Sequence, residues 1–328
     1  MLTDHLPRIS LAHLPTPVEE MPRLCEALGG GPHLLVKRDD QTGLATGGNK
    51  ARKLEFLIAE ALAQGADTLI TAGGPQSNHC RQTAAGAAKM GLRCVLLLSG
   101  EPLPRSLWNG NLLLDSFLGA EVHWIGDRDR DTALANEARA LQAAGARPYV
   151  VPVGGSVPIG AVGYVAALEE LAGQLAVQGE RVDRIVFASG SAGTHAGILV
   201  GVKALGLNTR VEGISDDKVG NLVEKIQSLT TATAAYLGLD LNFTDQDFIL
   251  HGAYGAPGYG VITDAEREAI RLLARFEGII ADPVYTGRAL AGLIDLVRQG
   301  VYGPGETVLF WHTGGVAGLF ARAAELMD

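Results

Sequence analysis

Cysteine is scarce. Cys25, Cys80 and Cys94 are the only three, and no two of them form a CxxC pair. That excludes a disulfide framework and a cysteine-rich zinc site, and it fits a reducing compartment. The first residues, MLTDHLPRISLAHLPTP, lack an apolar stretch behind a basic start, so no secretory signal is read there. No run of about 18 apolar residues interrupts the chain, which argues against a membrane-spanning helix. Basic charge is also short: 27 Lys and Arg stand against 36 Asp and Glu, a formal net charge of -9. A general affinity for phosphate backbones or anionic membranes does not follow from such a balance, so neither nucleic acid nor membrane is an expected partner. These absences together predict a cytoplasmic protein. Aromatic residues make up only 5%, leaving Leu, Val, Ile and Ala to build the core. No internal repeat, low-complexity tract or charge block is visible.

What is abundant is glycine, 43 of 328 residues, among 47% hydrophobic residues. At roughly 150 residues per domain the length suggests two domains. Short β-branched or Leu-rich runs alternate with longer Ala/Leu-rich stretches. Strands are predicted over 34–37, 68–71, 94–98, 121–125, 149–151, 184–187, 211–214 and 307–311. Helices are predicted over 50–64, 77–90, 131–144, 159–178, 193–205 and 264–277. In the first helix Leu54, Leu57, Ile58, Ala61 and Leu62 recur at helical spacing and mark a buried face. The alternation predicts an α/β protein with open, mostly parallel sheets flanked by helices on both faces. Gly- and Pro-rich segments at 43–48 and 151–163 are the candidate hinges. They bracket an inserted small domain, 49–159, within a large domain formed by 1–48 and 160–328.

Ligands of open α/β sheets sit where strand ends lead into helix N-termini, and three loops of this kind invite a small anion. In TGLATGGNKARK, Gly43 and Gly48 have P-loop spacing, but Asn49 stands in the lysine position and Ala51 where a magnesium-binding hydroxyl belongs, so an NTPase is not indicated. Lys50, Arg52 and Lys53 crowd one first turn. Their mutual repulsion and the helix dipole favour a neutral amine, the form that attacks carbonyl carbon. In GGPQSNHCRQ, Ser77 or Asn78 can cap the following helix or receive a carboxylate. His79 there has no second ligand at metal spacing and reads as a packing or hydrogen-bonding residue; no metal is expected. In SGSAGTHAG, small residues before a helix make an anion cradle. A GxGxxG is absent, so one phosphate suits this loop better than a dinucleotide, for which Asp216 or Asp217 would be the ribose ligand. Further on, APGYG and DPVYTGRA each carry a tyrosine, and FWHTGG ends a strand with Thr313.

TGGNKARKLEF, GGPQSNHCRQTAA, SGSAGTHAG, APGYG, DPVYTG and HTGG, in this order and over nearly the whole chain, resemble the D-cysteine desulfhydrase and 1-aminocyclopropane-1-carboxylate (ACC) deaminase group. These are pyridoxal-phosphate enzymes of fold type II, the tryptophan synthase β-subunit fold, with the cofactor in a cleft between a large and a small domain. The resemblance implies that Lys50 holds the cofactor covalently. It assigns the phosphate to Gly190, Ser191, Ala192, Gly193 and Thr194, with Lys53 and Asn78 assisting, and the ring nitrogen to the Thr313 hydroxyl. Ser77, Asn78 and His79 would receive the substrate, with Tyr259 and Tyr285 flanking it; Lys50, Ser77 and the two tyrosines would be catalytic. ACC deaminases carry Tyr-Glu where this chain has Tyr285-Thr286, so Thr286 in the substrate site would favour β-elimination from a cysteine-like amino acid. The implied reaction converts D-cysteine to pyruvate, hydrogen sulfide and ammonia. L-cysteate sulfo-lyase and ACC deaminase activities remain alternatives on the same scaffold, and a nicotinamide-dependent oxidoreductase is the alternative of another class. A homodimer is implied as well.

Overall fold

The computed structural model describes residues 1–327. Ten strands are present among them: β1 (Val18–Glu20), β2 (His33–Arg38), β3 (Thr68–Gly73), β4 (Arg93–Ser99), β5 (Glu121–Gly126), β6 (Pro148–Val150), β7 (Arg184–Ser189), β8 (Arg210–Ser215), β9 (Ile249–His251) and β10 (Thr307–His312). They form two sheets. One has the order β1-β2-β10-β7-β8-β9 and is parallel except for the β1–β2 pair; the other, β5-β4-β3-β6, is wholly parallel. β3 is buried at every position, as befits a strand covered on both faces. All eight sequence-predicted strands are found within one or two residues. The outer strands β1 and β9, three residues each, were not anticipated.

The principal helices are α1 (Pro22–Ala27), α2 (Lys50–Ala63), α3 (Asn78–Met90), α4 (Gly110–Phe117), α5 (Arg130–Ala143), α6 (Pro158–Gln178), α7 (Gly193–Ala204), α8 (Leu222–Tyr236), α9 (Asp264–Glu277) and α10 (Thr286–Arg298). Local chemistry sets their ends. Ser77 Oγ accepts from the Cys80 amide to start α3, and Thr263 with Glu266 forms a capping box at α9. Left-handed Gly91, Gly179 and Gly278 stop α3, α6 and α9. The first half of α6 is buried on all sides against α2, α7 and α8.

One buried polar network fixes α2, the helix that begins at Lys50. Asp39, at the end of β2, accepts from Arg52 at 2.8 and 2.9 Å, from the Tyr164 hydroxyl at 2.7 Å and from the Trp311 indole at 2.8 Å. Arg52 also reaches Glu170 of α6, which pairs with Lys37. Burial works to raise the Asp39 carboxyl, but the Arg52 charge overrides it and holds the group below its ordinary value. Removing one partner of such a pair strands a buried charge. Arg52→Leu is therefore expected to lower unfolding stability by about 3–5 kcal/mol. Guanidinium unfolding midpoints at constant slope read this directly; a shift equivalent to under about 1 kcal/mol would show that the network is not a structural anchor.

Candidate active site

The carboxyl ends of β3, β6, β7, β8 and β10 converge on one cavity of about 370 Å³, where the strand ends of open α/β sheets place ligands. Lys50, Ser77, Asn78, Tyr259, Tyr285 and Thr313 all line it. So do His79, Gly190, Ser191, Ala192 and Thr194. Segments separated by up to about 260 residues of chain are thus brought to one place.

Lys50 opens α2 and donates to Asn49 Oδ1 at 2.9 Å. Asn49 in turn donates its amide N–H to the Thr313 carbonyl and its side-chain N–H to Thr194 Oγ1 at 3.2 Å. The loop ahead of Lys50 needs glycine where it crosses the β10 loop, because a Cβ on Gly314 would lie 2.6 Å from Gly48 Cα. The Lys50 ammonium is pushed down to about 8, first by burial; Asp216 opposes the shift and Arg81 adds to it. This corrects the charge-crowding argument made from sequence. Arg52 is neutralised by Asp39 and Glu170, so loss of water, not repulsion within the turn, is what favours the neutral amine.

The loop 189–194 forms the opposite wall. Ala192 holds φ 70° at the N-cap of α7, a conformation uncommon for alanine, and the first amides of α7 have no helical partner. A Cβ at Gly190 would overlap the Asp216 carboxylate, and one at Gly193 would lie 2.7 Å from Lys53 Nζ. Lys53 and Gly193 stand just behind the lining. Lys53 is buried, donates to the Gly154 carbonyl at 3.0 Å, and has no carboxylate partner among the described residues. Burial, and then Lys50, depress its pKa well below the ordinary value.

The tyrosines meet at the far side, hydroxyl to hydroxyl, at 2.6 Å. Tyr285 is placed by the Asp282 carboxylate, which accepts from the amides of Val284, Tyr285 and Thr286. Tyr259 donates its amide to Asp217 at 3.0 Å. Buried Arg288 secures both neighbouring loops by donating to the carbonyls of Asp216 and Gly258 at 2.7 and 2.9 Å. Burial raises the Asp216 carboxyl to about 6, and the charge of Asp217 adds to this.

One predicted substrate residue is not part of the lining. Thr286 is fully buried, and its hydroxyl donates to Asp282 Oδ1 at 2.7 Å. The reason is the helix start: Tyr285 is the N-cap of α10, and the next residue turns into the core. Thr286 acts on the cavity only through the loop that carries Tyr285. Ser77 combines both of its sequence readings, capping α3 and lining the cavity. Asn49, Gly154 and Arg130 line the cavity without having been assigned to it; Asn49 lay inside a quoted motif and Gly154 inside the 151–163 hinge segment, whereas Arg130 had no signal.

The cavity suits a phosphorylated ring aldehyde. It holds an amine whose pKa is pushed down to about 8, a small-residue loop at a helix N-terminus, and a buried Lys53 lacking the counter-charge that a phosphate brings. His79 Nδ1 and His195 Nε2 are buried beside it without partners among the described residues. No group of three or more His, Cys, Asp or Glu among the described residues is arranged to hold a metal ion, and no helix there is long and apolar enough to cross a membrane.

Comparison with known proteins gives concordant results. Residues 9–314 match the family described as pyridoxal-phosphate dependent enzyme. A D-cysteine desulfhydrase of Salmonella choleraesuis is 48% identical over 321 residues, covering 96% of each chain. A solved structure described as an ACC deaminase homologue superposes with a TM-score of 0.89 at 38% identity, covering 99% of this chain and 97% of the other. A threonine deaminase isoform from Solanum lycopersicum, 16% identical with a TM-score of 0.67 over 95% of this chain and 82% of the other, shares the fold.

Proposed function

The chain belongs to the pyridoxal-phosphate-dependent enzyme family, in its fold type II architecture, and we propose that it is the lyase that converts D-cysteine to pyruvate, hydrogen sulfide and ammonia. The observation that carries the proposal is the cavity itself. A depressed lysine, a phosphate-sized cradle and a tyrosine pair share it, in a chain nearly half identical to a D-cysteine desulfhydrase over almost its whole length. The reading divides the chain into a large domain, 1–48 and 160–328, and a small domain, 49–159. It also makes the protein a cytoplasmic homodimer, which sedimentation velocity can test.

Bound there, pyridoxal phosphate supplies an electron sink for negative charge at the substrate α-carbon. The protein does the rest. Gly190 to Thr194 and Lys53 would hold the phosphate, Thr313 would serve the ring nitrogen, and Lys50 would anchor the cofactor through its ε-amine. Ser77, Asn78 and the N-terminus of α3 receive the substrate carboxylate. The Lys50 ε-amine, when free, would be the base that takes the substrate α-proton. The electron pair left behind forms the α,β double bond as the C–S bond breaks and sulfur departs with its pair. Tyr285, kept neutral because burial raises its phenol well above the ordinary value, can protonate the departing sulfur, and the half-exposed Tyr259 returns the proton from solvent. Water then hydrolyses the enamine to pyruvate and ammonia. The alternative oxidoreductase reading leaves Lys50 idle on the cavity wall.

Parallel product analysis with D-cysteine, L-cysteine, L-cysteate and ACC tests the substrate. Sulfide, pyruvate and ammonia from D-cysteine are expected to form fastest. Faster release of 2-oxobutanoate from ACC would overturn the assignment.

The lysine pKa gives a separate expectation. Only the neutral amine attacks an aldehyde, so loading of the apoenzyme with pyridoxal phosphate should accelerate as pH rises through about 8 and level off above it. Stopped-flow absorbance follows the reaction. A rate still climbing toward the ordinary lysine value of 10.5 would contradict the buried environment.

A further inference from the structure

Arg130 is a basic residue on the cavity wall that no motif announces. It is the first residue of α5, exposed to solvent, and reaches the cavity from the four-stranded sheet. Its Nε donates to Ser99 Oγ at 2.9 Å, and Ser99 in turn donates to the Gly73 carbonyl at 3.4 Å, so the guanidinium is tied to the strand end that leads into the Ser77 loop. Both terminal nitrogens of Arg130 are without protein partners among the described residues, although Asp129 and Asp131 flank it in sequence. Asp129 is engaged instead as the cap of α5, accepting from Thr132. Of the described lining residues Lys50 and Arg130 are the cations, since burial keeps His79 and His195 neutral, and Lys50 would be taken up by the cofactor. The Arg130 charge is felt at Tyr259, where it opposes the rise that burial causes in the phenol, and at Cys80 in the first turn of α3. Arg130 thus shares one cavity wall with the first residues of α3 and with the tyrosine pair.

We propose that Arg130 is a substrate-selecting residue whose free guanidinium edge pairs with a negative charge on the substrate's β-substituent. The inference rests on the amino-acid substrate class argued above and deepens it. The α-carboxylate already has the α3 N-terminus, so a second, planar, two-donor cation is suited to a second anion: a carboxylate, a sulfonate or an ionised thiol. Asp216 and Asp217 also line the cavity, and Arg130 is the fixed counter-charge it offers such a group.

D-Aspartate and D-asparagine test this, because they are nearly isosteric and differ in side-chain charge. Both are measured as competitive inhibitors of D-cysteine turnover and by spectral titration of the bound cofactor. The native enzyme is expected to prefer D-aspartate, and Arg130→Gln to lower that preference about tenfold, with partial recovery in Arg130→Lys, which restores charge without the fork. Arg128→Gln is the control: it removes the same charge from a side chain bonded to the Ile125 and Trp124 carbonyls and outside the cavity lining. An unchanged preference in Arg130→Gln, an equal loss in Arg128→Gln, or no preference in the native enzyme each overturns the assignment. If D-cysteine itself is not turned over, the substrate reading fails, and the spectral titration still decides the role of Arg130.

Discussion

Lys50→Ala is expected to lower kcat for D-cysteine by about 10³-fold or more, the scale of losing a positioned base together with the covalent anchor. The loss should not come from misfolding. Lys50 sits at the first position of α2, where alanine is the best helix former, and the Asp39–Arg52 network that fixes this helix is untouched. Cofactor should still bind, more weakly and without covalent attachment, because the 189–194 loop and Lys53 remain. Circular dichroism, cofactor titration and sulfide release measured together separate these effects. A variant retaining more than a tenth of native kcat would remove Lys50 from the chemistry.

The second large effect concerns the tyrosine pair. Tyr285→Phe should lower kcat about 100-fold, the range for removing one positioned proton donor, while leaving cofactor loading at the native rate. The two hydroxyls lie 2.6 Å apart and either can donate to the other, so they form one relay. Groups that act as a unit are not additive. Tyr259→Phe/Tyr285→Phe should therefore lose little more than Tyr285→Phe alone. A double variant whose loss equals the product of the two single losses would show that the hydroxyls work independently. Tyr285→Phe should also leave the Asp282 turn intact, since Asp282 grips the backbone amides and not the phenol.

How far the sequence could reach is clear from individual residues. Strand and helix positions in the parallel core were legible because continuous apolar runs and helical spacing are local signals, as in β3 and α2. That the loop at 189–194 and Lys50 lie on one cavity was legible from the strand-to-helix turns in which both stand. Long-range electrostatics was not. Nothing adjacent to Asp39 shows that it receives Arg52, Tyr164 and Trp311 from three other elements. The low pKa of Lys50 was foreseen for a reason that Arg52's own partners cancel, since a count of neighbouring charges in sequence ignores burial. Thr286 was placed in the substrate site because it follows Tyr285, yet a helix start sends successive side chains in different directions. Arg130 carries no motif; only the fold brings the start of α5 to the cavity.

Borohydride reduction of the holoenzyme, followed by peptide mapping, puts the central assignment to its most direct test. Reduction should fix the pyridoxyl group on a single side chain, Lys50, with a yellow protein bleached in step. A label on Lys53, or a bleached protein with no modified lysine, would contradict the account.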